Sequence, residues 1–86
     1  MNNARRMKLE EVIGKLQPIN ECLQDIQEEL QEIFDEEQES FDNMPDNLKS
    51  SERGQNSEDA ISYLENAINY IGEFEQIIEE LVEATE

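Results

Sequence analysis

Apolar residues recur along two long segments of the chain, at alternating steps of three and four positions. The first stripe consists of Leu9, Val12, Leu16, Ile19, Leu23, Ile26, Leu30 and Ile33. The second stripe consists of Ala60, Leu64, Ala67, Ile71, Phe74, Ile78 and Leu81. This spacing places each stripe on one side of an α-helix, and no segment indicates a strand. The pattern predicts an all-α fold in which two helices pack along their stripes.

The first helix is predicted over residues 3–42, with Asn3 as its N-cap. It contains Pro18, which removes one backbone hydrogen bond and clashes with the carbonyl of Gly14, at a cost of about 3 kcal/mol. The apolar stripe crosses Pro18 without a change of phase. We therefore favour one long helix bent at Pro18 over two helices joined by a turn.

The link is predicted over residues 43–50 and the second helix over 51–84. Asn, Pro and Asp residues in the link favour turns. Ser50 or Ser51 is the expected N-cap of the second helix, and Ser57 is an alternative start because a glycine and an asparagine weaken the earlier one. A short link between two long helices predicts an antiparallel two-helix hairpin. Residues 1–86 then form a single domain.

More apolar side chains flank the stripes than one hairpin can bury. Nine of these flanking residues are Ile13, Phe34, Phe41, Ile61, Tyr63, Ile68, Tyr70, Ile77 and Val82. Burying them would contribute roughly 14–27 kcal/mol at about 1.5–3 kcal/mol each, as an upper bound. We expect them to form an oligomer interface through which two hairpins make a homodimeric four-helix bundle. The alternative is that they dock on a different protein.

The chain is extremely acidic, with 23 Asp or Glu residues, six Lys or Arg residues, no His and a formal charge of -17. Four cations, Arg5, Arg6, Lys8 and Lys15, lie near the beginning of the first helix, so a hairpin would bring them beside the acidic end of the second. The negative charge argues against direct nucleic-acid binding and against an anionic membrane surface. It favours a protein partner with a basic surface.

One segment carries the densest row of acids, and we expect it to form an acidic partner-binding face. The row consists of Glu28, Glu29, Glu32, Asp35, Glu36, Glu39 and Asp42. Duplex DNA carries one charge per about 1.7 Å of its axis, and a dimer of long acidic helices can present a comparable density. Mimicry of nucleic acid is therefore one interpretation of the row. The interpretation that we favour for the acidic surface is that it keeps a bundle with a large apolar surface soluble. A third is that the acids bind a basic protein without copying DNA.

The chain lacks the residues of common catalytic and metal chemistry. Without His there is no Ser–His or Cys–His pair and no Glu-x-x-His motif of a di-iron bundle. The acidic run that begins at Asp35 has Ser40 where a calcium loop needs glycine. We therefore expect no enzyme, no catalytic residue, no cofactor and no metal site.

The location of the protein is predicted from its single cysteine and from its apolar runs. Cys22 is the only cysteine, so no disulfide can form within one chain. The first residues lack the apolar core of a signal peptide, and no run approaches the roughly 20 apolar residues that span a bilayer. We expect a cytoplasmic protein.

Three segments, "MNNARR", "ESFDNMPDNLKSSERG" and "EDAISYLENAI", resemble small acidic proteins encoded in bacteriophages and mobile elements of Gram-positive bacteria. The resemblance spans most of the chain. It implies a helical hairpin and a phage or mobile-element setting, and it supplies no catalytic residues. Pro18 and Gly72 depart from the more regular helices of that group.

The composition, the apolar pattern and the resemblance lead to one functional prediction. It is a non-enzymatic acidic protein-interaction module, an inhibitor from a phage or mobile element that binds a basic, nucleic-acid-binding surface of a host protein. Inhibitors of host defence and DNA mimics occur among small acidic phage proteins, which supports this prediction by analogy. The alternative is a structural or assembly accessory protein that acts as a homodimeric bundle without DNA mimicry.

Overall fold

The computed structural model describes all 86 residues and contains three α-helices. They are α1 (Asn3–Asp42), α2 (Asp46–Lys49) and α3 (Glu52–Thr85). No residue lies in a strand, so the predicted all-α class is confirmed. None of the helices combines the length and the apolar character needed to cross a membrane.

Helix α1 is a single helix of 40 residues that continues through Pro18. The alternative of two helices joined by a turn is therefore wrong. The N-cap is Asn2, whose Oδ1 accepts a hydrogen bond from the backbone N–H of Arg5 at 2.9 Å. The predicted cap, Asn3, is instead the first helical residue.

The predicted link is not purely a turn, because residues Asp46–Lys49 form the short helix α2. Helix α3 begins at Glu52, and the Oγ atom of its N-cap Ser51 accepts a hydrogen bond from the N–H of Gly54 at 3.4 Å. The earlier of the two predicted starts is therefore correct, and the start at Ser57 is wrong. Gly54 is buried, so it serves a packing role that the sequence did not reveal.

Helices α1 and α3 lie against each other and run in opposite directions. Three side-chain hydrogen bonds connect them: Arg6 Nε donates to the Thr85 carbonyl (2.8 Å), Gln27 Nε2 to the Ile68 carbonyl (3.0 Å) and Ser57 Oγ to Glu37 Oε1 (2.6 Å). The result is a rod of 64 × 18 × 15 Å. Its radius of gyration is 19.4 Å, whereas a compact domain of this length has about 12 Å.

The stripe predicted for the second helix is confirmed, because all seven of its residues are buried or half-buried in α3. The stripe predicted for the first helix is only half correct. Its four leucines are half-buried: Leu9, Leu16, Leu23 and Leu30. The other four residues are exposed, and the prediction that they pack on the second helix is wrong: Val12, Ile19, Ile26 and Ile33. The positions that pack on α3 in their place lie one residue later: Ile13, Asn20, Gln27 and Phe34.

The physical reason for this shift lies in polar and small residues opposite α1. On α1, the leucines have the column that starts at Val12 on one side and the column that starts at Ile13 on the other. Only one of these two columns can face α3 together with the leucines. Gln27 is accommodated because its amide bonds to the Ile68 carbonyl, and because a Cβ atom on Gly72 would lie only 3.2 Å from Gln27 Nε2. Glu37 is accommodated by the buried hydroxyl of Ser57. Polar side chains inside such a seam fix the register of the two helices.

The interior of the rod is small. Only Gly54, Ser57 and Ile78 are buried, and the accessible surface is 6500 Å². A compact monomer of this mass exposes about 5,200 Å². The pairing of α1 with α3 therefore leaves much of the apolar surface in contact with solvent.

Candidate interaction surfaces

One side of the α1–α3 pair carries a continuous apolar surface. Helix α1 contributes four exposed residues spaced by seven positions, and α3 contributes three more with the same spacing. We call these seven residues the apolar face: Val12, Ile19, Ile26, Ile33, Tyr63, Tyr70 and Ile77. Because Gln27 bonds to Ile68 and Ser57 to Glu37, Ile26 lies at about the same level of the rod as Tyr70, and Ile33 at about the level of Tyr63. The two columns therefore form one surface rather than two separate stripes.

The apolar face is large for a monomer. It extends over about 32 Å along α1 at 1.5 Å per residue, on a rod that is 18 Å across at its wider side. The face therefore covers at most roughly 600 Å², which is the upper limit of the largest patch on a typical monomer. The side chains of Tyr63 and Tyr70 are 73% and 70% exposed. A surface groove beside Tyr70 and Ile77 reaches Phe74, so the face also has a concave part.

The opposite side of the pair has a different composition, and we call it the glutamine face. Helix α1 contributes an uncharged column spaced by seven residues: Gln17, Gln24, Gln31 and Gln38. Gln31 and Ile68 line one shallow groove on this side, and Gln38 and Ile61 line another. Ile61 and Ile68 are half-buried. Amide groups and apolar atoms therefore alternate here, which makes this side less apolar than the apolar face.

The nine residues predicted as an oligomer interface are divided among three places. Tyr63, Tyr70 and Ile77 lie on the apolar face. Ile61, Ile68 and Val82 belong to the opposite side of α3, where Val82 is exposed and the two isoleucines are half-buried. Ile13, Phe34 and Phe41 are half-buried in α1, on the side that packs on α3.

The sequence reasoning did not include the α1 half of the apolar face, because it assigned those four residues to the seam. A signal was present in the sequence. Two phenylalanines, Phe34 and Phe41, continue the column of Ile13, and their large side chains favour that column for the contact with α3. Gly72 in the middle of α3 was a second signal, since it makes room for a side chain from α1.

All seven residues of the predicted acidic face are exposed on α1. They lie away from α3, whereas their neighbour Glu37 faces Ser57. From Glu28 to Asp42 they provide one negative charge per about 3 Å of helix axis, given a rise of 1.5 Å per residue. A single DNA strand carries one charge per about 3.4 Å. The charge spacing of this face therefore approaches that of one strand of a duplex.

Two cations of the chain, Arg6 and Lys49, have partners other than carboxylates. The Arg6 guanidinium donates to the Thr85 carbonyl and to Asn3 Oδ1. The Lys49 ammonium lies 5.4 Å from the centre of the Phe41 ring, in the range of a cation–π interaction. Neither contact neutralises an acidic side chain, so the acidic face keeps its charge.

The arrangement of these surfaces is suited to binding. No group of three or more His, Cys, Asp or Glu side chains is positioned to hold a metal ion. Cys22 has a free thiol and is exposed on α1. The structure exposes one apolar surface and one acidic surface on the same rod. No family model, curated protein or solved structure matches the chain.

Proposed function

We propose that this chain is a non-enzymatic, acidic protein-interaction module of the cytoplasm. Its working form is an antiparallel two-helix hairpin that dimerises into a four-helix bundle. Its acidic face binds a basic, nucleic-acid-binding surface of a host protein and blocks it. The resemblance of three segments to small acidic proteins of phages and mobile elements supports this role and this setting.

The observation that carries the proposal is the acidic face itself. Seven carboxylates are exposed along a rigid helix, on the side that does not contact α3. A helix holds charges at fixed spacing without the ordering cost that a flexible acidic tail would pay on binding. A basic groove attracts such a surface over a distance set by the salt concentration, about 8 Å at physiological ionic strength.

The experiment is elution of host proteins from DNA. An extract of the native host is bound to DNA–cellulose, and the purified chain is then passed over the column. We expect one or a few DNA-bound proteins to be released, and mass spectrometry identifies them. A variant in which all seven acids of the face are changed to Gln or Asn should release at least tenfold less.

The matched control neutralises seven exposed acids of α3 instead. These are Glu58, Glu65, Glu73, Glu75, Glu79, Glu80 and Glu83. It changes the net charge by the same amount and should still release the proteins. If the two variants lose activity equally, net charge alone explains the effect and the acidic face has no special role. If the unmodified chain releases nothing, the proposal fails.

The second candidate is an assembly accessory protein without DNA mimicry, and the apolar face favours it. That face is large enough to hold another protein regardless of the acidic side chains. This candidate predicts a stable dimer that releases nothing from DNA–cellulose, so the same experiment distinguishes the two functions.

A further inference from the structure

We propose that the apolar face binds a second copy of this chain in one orientation, with α1 lying antiparallel on α1 of the other copy and the two-fold axis passing beside Cys22. This inference rests on the proposed homodimer and specifies its geometry. The two links then lie at opposite ends of the bundle. The alternative dimer has both links at the same end and places α1 on α3 of the second copy.

The first argument is a charged column that borders the apolar face on α1. Its residues are spaced by seven positions and are all exposed: Lys8, Lys15, Cys22, Glu29 and Glu36. Each follows or precedes a residue of the apolar face at helical spacing, so the column lies along the edge of that face. The column has two cations on one side of Cys22 and two anions on the other.

Reversal of this column about Cys22 exchanges every cation with an anion. When two α1 helices lie antiparallel with their Cys22 residues together, Lys15 of one copy faces Glu29 of the other, and Lys8 faces Glu36. The two-fold symmetry doubles each contact. A parallel pair would instead place each residue beside its own copy, with cation on cation and anion on anion. The column therefore selects the antiparallel orientation.

The alternative dimer, with α1 on α3 of the second copy, has a weaker charge pattern. The column that borders the apolar face on α3 contains no cation: Asp59, Asn66, Glu73 and Glu80. In that arrangement Lys15 still meets an acid, Glu80, but Glu36 meets Asp59. Exposed pairs contribute little to affinity but do select among orientations. The proposed arrangement pairs both lysines of the column. It replaces the two Glu36–Asp59 contacts with one contact between Glu73 and its own copy, because α3 then lies on α3 of the second copy with Glu73 beside the axis.

The apolar residues agree with the same axis. Reversal of α1 near Cys22 brings Ile19 to Ile26 of the other copy and Val12 to Ile33. The two copies together then cover at most roughly 1,200 Å² of surface, which is the lower limit of the range of stable protein–protein interfaces. These four contacts join isoleucine and valine side chains, which are β-branched and have few rotamers. Little side-chain entropy is therefore lost when they are buried.

The proposed dimer leaves most of the acidic face free. Glu29 and Glu36 lie at the edge of the interface, beside lysines of the other copy. The five remaining acids lie farther around α1 and stay accessible: Glu28, Glu32, Asp35, Glu39 and Asp42. Dimerisation and binding of a basic partner therefore use different side chains for the most part.

The test is crosslinking of the full chain at Cys22 with a short bismaleimide, with the mass measured in parallel by light scattering. We expect a dimer in solution and efficient formation of a crosslinked product of twice the chain mass of 10.0 kDa. Random collision is controlled with two variants that carry Cys22→Ser together with either Lys15→Cys or Glu29→Cys. Neither variant should crosslink alone, and their mixture should crosslink at least tenfold better than either.

Charge reversal provides a second measurement that does not depend on cysteine. Lys15→Glu and Glu29→Lys should each weaken the dimer roughly tenfold, since each converts two symmetric attractions into repulsions. The double variant has the net charge of the unmodified chain and should regain its affinity. Arg53 lies away from the column, so Arg53→Glu is the control for the negative charge that Lys15→Glu adds.

The outcomes separate this inference from the proposed function. A dimer without crosslinking at Cys22, and without recovery in the double variant, overturns the orientation only. A monomer at all accessible concentrations overturns both the homodimer and the orientation. If the unmodified chain crosslinks at Cys22 but releases no protein from DNA–cellulose, the binding of a basic partner is overturned and the proposed orientation is supported.

Discussion

Gly54 illustrates how one residue determines the connection between the helices. It lies in the first turn of α3, and a Cβ atom at this position would collide with the backbone carbonyls of Leu48 and Lys49. We expect Gly54→Ala to lower the free energy of unfolding by about 1–3 kcal/mol, because the backbone of α2 would have to move. Urea denaturation followed by circular dichroism measures this change.

The chain provides a matched control for this substitution. Gly14 lies within α1, and nothing is within 4 Å of a Cβ atom added there. Gly14→Ala should therefore stabilise the protein by up to about 1 kcal/mol, because alanine favours the helix. If both substitutions shifted the urea midpoint upward, α2 would not pack on α3 as the structure has it.

At the scale of the helices, the sequence predicted the elements well and their facing sides less well. Periodicity and capping residues predict elements because they act locally: α1 ends at Asp42 as expected, and α3 begins one residue after its expected start, at Glu52. The rotation of α1 depends on contacts across the pair. The column that contains Ile26 is entirely apolar, which favoured it as the side that faces α3. The structure instead turns the column of Gln27 toward α3, where the Ile68 carbonyl accepts a hydrogen bond from the Gln27 amide. A hydrogen-bond acceptor on the other helix can be identified only from a structure that contains both helices.

The rotation of α1 is tested with two neighbouring residues of the same helix. Leu30 is half-buried, while Ile33 is 50% exposed. We expect Leu30→Gln to lower the free energy of unfolding by about 1–3 kcal/mol, because it places an amide in the seam. Ile33→Gln should change the stability of the monomer by less than about 0.5 kcal/mol. It should instead weaken dimerisation, as measured by light scattering. Equal loss of stability in both variants would mean that Ile33 also packs on α3, as the stripe predicted for the first helix requires.

The whole molecule is a long acidic rod, and this shape leaves apolar residues exposed in a single copy. A rod 64 Å long has too little interior to bury the residues of the apolar face. A charge of -17 opposes the close approach of a second copy. In the proposed dimer, shape favours association and charge opposes it, so the salt concentration should decide how strongly two copies bind.

The proposed dimer should therefore become more stable as salt is added. The Debye length falls from about 30 Å at 0.01 M to about 8 Å at 0.15 M ionic strength, which removes most of the repulsion between distant acids. Two copies carry twice the charge of -17, so screening of this repulsion outweighs the loss of four exposed Lys–Glu attractions. We expect Tm to rise by several degrees over this range, and to rise with protein concentration because folding is linked to association.

Melting curves followed by circular dichroism, at several salt and protein concentrations, measure both effects. The Ile33→Gln variant is the control: its Tm should still rise with salt, because acids within one chain also repel each other, but should depend less on protein concentration. A Tm that falls with added salt would show that the local Lys–Glu pairs dominate the stability. A Tm of the unmodified chain that does not depend on protein concentration would show that the apolar face is not covered by a second copy.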